Sequence, residues 1–283
     1  MSDRLLATPD RMYPGYVFDL DGTIYLGDEL LPGAAETVAA LREAGSRVVF
    51  LTNKPLDLPD EYAAKLTRLG IPARPEDVVS STDALLHYLS AFRGARLYPV
   101  AEPLISRFLT DAGHELNDDP EQIDIVVVSF DRTFTYEKLL TAYRAVRHGA
   151  RIVATNPDPY CPTPDGGLPD CGALLAAIET ATGVRAVATV GKPSAHMSAV
   201  LLQRLGVPAS DTLLVGDRLL TDMRMAREAG MASALVLTGA TSLDDVSAAT
   251  QAPDFVLERL AQLLPDEHDG SALARAQAGG IGG

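Results

Sequence analysis

The chain has 283 residues, 47% apolar and 22% charged, enough apolar side chain for one large folded domain or two smaller ones and too much for a disordered chain. Twenty-four basic against 38 acidic residues leave a net charge of −14, which argues against work that consists of gripping nucleic acid or an anionic membrane. Two cysteines are too few for a disulfide framework, no apolar run approaches the ~18 residues of a membrane span, and Met1 to Tyr13 holds no apolar leader core, so a cytoplasmic enzyme is the expected class.

Tyr16 to Leu20 is a short apolar run ending in acids, the pattern of a buried strand whose far end meets solvent. Pro32-Gly33 opens a helical pattern that stops at Gly45, and Arg47 to Thr52 reads as a second buried strand. Pro59 opens another helix, which ends before Gly70. Such alternation predicts a parallel sheet with right-handed crossovers. Between about 81 and 185 the texture changes. Strands are expected at 96–99, 123–130 and 151–155, and helices at 102–112, 136–148 and 172–182. Residues 156–169 carry five prolines and read as a long structured loop. Beyond it come strand 186–190, helix 195–205, strand 212–215, helix 220–229 and strand 232–237. Residues 265–283 turn Ala/Gly-rich and read as a flexible tail.

Four polar clusters follow strands, and parallel sheets bind ligands at the carboxyl ends of their strands. Asp19-Leu20-Asp21-Gly22-Thr23 sets two acids at i and i+2, which share a direction while the strand lasts. Thr52-Asn53 offers a hydroxyl and an amide suited to phosphate oxygens. Lys192, within Gly191-Lys192-Pro193, brings a point charge. Gly216-Asp217, with Asp222 five residues on, places two more acids around the start of a helix. Each has a plainer reading alone: a turn, a strand exit, a solvated lysine, an acidic helix start. Together they would converge on one edge of one sheet. Acids and water make a hard-cation site, most simply Mg²⁺, and Lys with Thr suits an anion bridging to it. That combination describes phosphoryl transfer. No Walker loop is present, and no G-x-G-x-x-G follows the first strand.

On these motifs, in this order, the chain resembles the haloacid dehalogenase superfamily of phosphatases. The strings ATNPD (154–158), CGALLAAIETATG (171–183), VGKP and VGDR-x₂-TD are similar to its NagD-like, p-nitrophenyl-phosphatase branch. The likeness runs from about residue 15 to 262. It implies an α/β fold: a doubly wound parallel-sheet core from 14–80 and 188–262, with a C2-type α/β cap inserted at 81–187. It further implies that Asp19 is a nucleophile forming an aspartyl-phosphate and that Asp21 is the general acid and base. Lys192 would offset charge, and Thr52 with Asn53 would bind the phosphoryl group. Mg²⁺ would be held by Asp19, the backbone carbonyl of Asp21 and Asp217, with Asp222 a ligand through water or an anchor behind the ligands.

Lys54-Pro55 departs from the branch, where Asn and a small hydroxyl residue often follow the Thr-Asn pair. A cation at the pocket mouth would suit a substrate with a second anionic group. Asn156 and Asp158 are candidates to hydrogen-bond the hydroxyls of a leaving group, against ordinary turn chemistry. The expected partner is a small phosphorylated metabolite such as a sugar, polyol or glycerol phosphate. Phosphoglycolate, pyridoxal phosphate, nucleoside monophosphates, a phosphotransferase and a ligand-sensing protein on the same fold stay open. A homodimer through the cap is the assembly considered, with no nucleic acid and no membrane.

Overall fold

The computed structural model describes residues 6–55, 57–161 and 167–264. The expected tail at 265–283 lies outside them, as do two of the loop prolines, Pro162 and Pro164. No helix among the described residues is long and apolar enough to cross a membrane.

The chain opens with β1 (Gly15–Asp19), α1 (Ala34–Glu43), β2 (Arg47–Thr52), α2 (Pro59–Arg68), β3 (Val78–Ser80) and α3 (Ser81–Leu89). A second sheet follows, from β4 (Arg96–Val100), α4 (Pro103–Asp111), β5 (Glu115–Leu116), β6 (Ile125–Val128), α5 (Tyr136–Arg147), β7 (Arg151–Ala154), α6 (Cys171–Thr182) and β8 (Ala188–Thr189). The chain then returns through α7 (Ala195–Leu205), β9 (Thr212–Gly216), α8 (Arg224–Ala229), β10 (Ala232–Val236), α9 (Leu243–Ala248) and β11 (Phe255–Leu257).

The larger sheet is six parallel strands in the order β11-β10-β9-β1-β2-β3. The insert sheet is five parallel strands, β8-β7-β6-β4-β5. This is the α/β class that the strand–helix alternation predicts. All five residues of β1 are buried because helices cover both faces of the sheet. Val17, Val49, Leu51 and Leu214 pack on one side, and Tyr16, Phe18, Phe50 and Val215 on the other. The Tyr16 and Phe18 rings stack at 6.1 Å.

Register decides what stands at the edge. Phe18 pairs with Val215 on one side and Phe50 on the other, so Asp19, Thr52 and Asp217 leave the sheet as neighbours. Three expectations need correction. The strand before Lys192 is only two residues long and belongs to the insert sheet, so Lys192 reaches the core edge on the returning chain. The helix expected over 220–229 begins instead with a wide turn, Leu219–Met223, and becomes α-helical at Arg224. Within the proline loop Tyr160–Cys161 pairs antiparallel with Leu168–Pro169. The sequence reading passes over β3, α3, β5, α9 and β11, all short segments with little periodicity to read.

Candidate active site

β1 ends at Asp19, and that ending separates the two acids of the first motif. Gly22 takes φ +85°, and a Cβ there would lie 2.6 Å from Asp217 Oδ2. Only glycine combines that turn with that clearance. The i, i+2 reading gave the two acids one direction while the strand lasts; the strand ends at Asp19, and the two carboxylates, both lining the same cavity, take different lysine partners. Asp19 faces Lys192 in a buried ion pair, whereas Asp21 pairs with Lys54, Asp21 Oδ1 lying 2.8 Å from Lys54 Nζ.

The buried acid cluster is Asp19, Asp217 and Asp222, whose nearest ligand oxygens all lie within 4.8 Å of one another. Lys192 sits among them, with Nζ donating to Asp19 and, at 2.7 Å, to Asp222 Oδ1. Asp222 Oδ2 accepts the Arg218 N–H at 3.1 Å. The wide turn swings Asp222 back under the strand end. A Cβ at Gly216 would stand 2.5 Å from Asp222 Cβ, so the close approach requires glycine. Asp217 Oδ2 accepts the Ala240 N–H at 2.6 Å, while its Oδ1 is buried without a hydrogen-bond partner among the described residues.

These environments set the charges. Burial pushes the Asp19 carboxyl well above the usual carboxylate range; Lys192 opposes this, and Asp222 and Asp217 add to it. Burial, with Asp222 next, pushes Asp217 up to about 6. Burial alone would lower Lys192, but Asp19 and Asp222 outweigh it and hold the ammonium charged. A buried acid cluster that one lysine cannot neutralise, with an orphaned carboxylate oxygen, is the donor set of a hard divalent cation. The residues present fit such an ion.

Around the cluster opens a cavity of about 790 Å³ between the two sheets. Asp19, Asp21, Thr52, Asn53, Lys54, Asp158, Lys192 and Asp217 all line it. Asp222 stands behind Lys192, fully buried. Thr52 Oγ1 accepts the Lys54 N–H at 3.1 Å. Lys54 is fixed at its carbonyl too, which takes a hydrogen bond from Tyr62 at 2.9 Å. Burial would lower its ammonium, but Asp21 reverses that and holds it charged.

Asn53 and Asn156 depart from expectation. The Asn53 Oδ1 accepts the Lys192 N–H at 2.7 Å, and its Nδ2 donates to Asp158 Oδ2 at 3.0 Å, so its amide braces the two loops. Asn156 is fully buried behind the wall, with Nδ2 on the Asn53 carbonyl at 3.3 Å and Oδ1 on the Asp158 N–H at 3.0 Å. It does not face a leaving group, because its polar atoms hold the loop together. The residues that sequence reasoning missed are Arg218, 3.6 Å from Asp158, and the insert residues Tyr160, Cys161, Leu168 and Asp170 on the cavity wall. Arg218 directly follows Asp217, and that adjacency was the available signal.

Residues 16–115 match the family described as haloacid dehalogenase-like hydrolase, and residues 189–263 match one described as HAD-hydrolase-like. This chain belongs to the haloacid dehalogenase-like hydrolase family. It is 35% identical over 256 residues to the 5′-nucleotidase YutF of Bacillus subtilis, covering 90% of this chain and 99% of the relative. It is also 35% identical over 251 residues to an acid sugar phosphatase of Staphylococcus haemolyticus, covering 88% and 95%. Among solved structures, a 4-nitrophenylphosphatase from Thermotoga maritima superimposes with a TM-score of 0.84 at 37% identity, covering 89% of this chain and 96% of that one. A glycerol phosphate phosphatase from Mycobacterium tuberculosis, in complex with magnesium, gives 0.82 at 34%, covering 90% and 77%.

Proposed function

We propose that this member of the family is a Mg²⁺-dependent phosphomonoesterase that hydrolyses small phosphate esters of sugars, polyols or glycerol through an aspartyl-phosphate. The observation that carries the reading is the buried Asp19–Asp217–Asp222 cluster with its unpartnered Asp217 oxygen, at the floor of the cavity. The sugar, glycerol and nucleotide phosphatases among its relatives support the substrate class.

Asp19, Asp217 and the Asp21 backbone carbonyl would hold Mg²⁺, with Asp222 acting through water or as an anchor behind them; the ion when bound supplies positive charge to the phosphoryl oxygens. Asp19 attacks phosphorus, and the ester P–O bond breaks as the P–O bond to Asp19 forms. Asp21 gives its proton to the departing alkoxide. It then takes one from the water that cleaves the aspartyl-phosphate, which restores both carboxyl groups. Lys192 orients the Asp19 carboxylate and favours its ionised form, and Thr52 offers its hydroxyl to a phosphoryl oxygen. The walls of the insert act as a cap that holds bulk water away from the acyl phosphate.

We further propose a cytoplasmic location and a homodimer through the insert, where Val184 and Val187 are exposed beside the edge strand β8. Light scattering tests the dimer.

Phosphate release is measured over a panel of monoesters, with Mg²⁺ and with chelator. Release that stops with chelator and concentrates on sugar, polyol or glycerol esters is the expected result. A protein that binds Mg²⁺ and releases no phosphate from any ester would be a phosphotransferase or a ligand sensor instead.

A further inference from the structure

Asp158 lines the cavity and was a candidate to read the leaving group, yet both its oxygens are engaged within the protein. Oδ2 accepts from Asn53 Nδ2 at 3.0 Å, and Oδ1 lies 3.6 Å from Arg218 Nη1. The orientation of Asn53 is not free: the Lys192 N–H needs an acceptor, which fixes Oδ1 on that side and turns Nδ2 toward Asp158. The same Nδ2 also reaches the Lys192 carbonyl at 3.3 Å. One carboxylate of the insert is therefore joined through a single amide to the backbone of Lys192. Its other oxygen meets the residue that follows Asp217.

The loop presenting Asp158 is itself locked. The Gly172 N–H at the start of α6 donates to the Asp158 carbonyl at 2.9 Å, and a Cβ at Gly172 would lie 2.8 Å from that oxygen. The Gly191 N–H donates to the Thr155 carbonyl at 2.7 Å. A rigid insert loop thus grips the strand exit of β2, the Lys192 loop and the Asp217–Asp222 turn together.

We propose that Asp158 is a positioning residue: it seats the insert on the core by holding Asn53 and Arg218, fixes Lys192 against Asp19, and does not discriminate between leaving groups. This rests on the phosphatase reading for its kinetic arm only. A contact to the leaving group would matter for esters that offer hydroxyls and little for those that do not. A positioning contact acts on the shared phosphoryl step and costs every ester the same factor.

The experiment uses the full chain with Asp158→Ala, Asp158→Asn, Arg218→Gln and the Asp158→Ala/Arg218→Gln double variant. Rates are read on glycerol phosphate, rich in hydroxyls, and on 4-nitrophenyl phosphate, which has none on its leaving group. Asp158→Ala is expected to lower kcat by about ten- to a hundredfold on both esters alike, with KM nearly unchanged. Asp158→Asn retains an acceptor for Asn53 and recovers part of the loss. The double variant is expected to be no worse than the more damaging single one, as for residues acting through one contact. Hydrogen exchange at the Lys192 amide, without substrate, should quicken by about tenfold or more in Asp158→Ala. A loss confined to glycerol phosphate would make Asp158 a leaving-group ligand and overturn the proposal. Unchanged rates on both esters, or unchanged exchange at Lys192, would also overturn it. If the unaltered protein hydrolyses neither ester, the phosphatase reading fails and the exchange result alone decides the positioning role. Should Asp158→Ala fail to fold, Asp158→Asn and Arg218→Gln carry the same test, with equal loss on both esters expected and unequal loss fatal.

Discussion

Both sheets carry an Asp-Arg pair close to a strand exit, directly after the strand in the core sheet and three residues beyond it in the insert sheet. In the core sheet it is Asp217-Arg218 after β9, and in the insert sheet Asp131-Arg132 after β6. Both aspartates are buried. Asp131 is fully provided for: Lys138 Nζ donates to Oδ2 at 2.6 Å, and the Thr133 backbone and hydroxyl donate to Oδ1 at 2.9 and 2.6 Å. Arg132 turns outward to Glu102. Asp217 has one N–H for one oxygen, no hydrogen-bond partner among the described residues for the other, and two further carboxylates beside it. A buried carboxylate at a strand end does not announce chemistry. An unbalanced one does, because the fold tolerates that cost only where a ligand relieves it.

The strongest way to break that contrast is to remove the carboxylates on each side. Asp19→Asn should lower phosphate release by about 10⁴ or more, as expected for loss of a covalent nucleophile, with the fold intact by circular dichroism. Asp131→Asn should leave the rate within about threefold and weaken folding by about 1–3 kcal/mol, since it unpairs the partly buried Lys138. Retained turnover in the first variant would remove Asp19 from its role. A rate collapse in the second, in a folded protein, would erase the distinction between the two sheets.

Asp21→Asn comes next, with an expected drop of about 10²–10⁴, the range for a lost general acid and base. A drop under tenfold would give the proton transfer to another group.

The two aspartates also differ in sign of stability. Asn at 217 can turn its oxygen to the Ala240 N–H and present an amide to the neighbouring acids. In chelator, Asp217→Asn should therefore raise Tm by about 2–4 °C, the shift that ~1 kcal/mol produces in a chain of this size. Asp131→Asn should lower Tm. Calorimetry of both metal-free variants makes the comparison; a fall in both would show that the acid cluster is not strained.

How far the sequence disclosed this follows the same division. Strand–helix alternation gave the parallel sheets, since strands buried on both faces appear as unbroken apolar runs. The cluster residues Asp19, Lys192, Asp217 and Asp222 stood out because polar groups directly after such runs are conspicuous. Hidden were the relations that need three dimensions. Asp19 and Asp21, two residues apart, pair with different lysines, Lys192 and Lys54. The strand leading to Lys192 pairs in the other sheet, and the amides of Asn53 and Asn156 are used inside the protein. None of these leaves a spacing in the chain.

The smallest effect concerns Lys54. As a cation at the cavity wall it suggested a substrate with a second anion, yet its ammonium is 2.8 Å from Asp21 and its backbone is tied to Thr52 and Tyr62. A lysine paired in this way neutralises its partner and leaves little field for a distant anion. Lys54→Met should change kcat/KM by about three- to tenfold, and by a similar factor for glycerol phosphate and for an ester that also carries a carboxylate. If the carboxylate-bearing ester suffers at least tenfold more, Lys54 leaves Asp21 to meet the substrate, and the core sheet reads the leaving group as well as the phosphate.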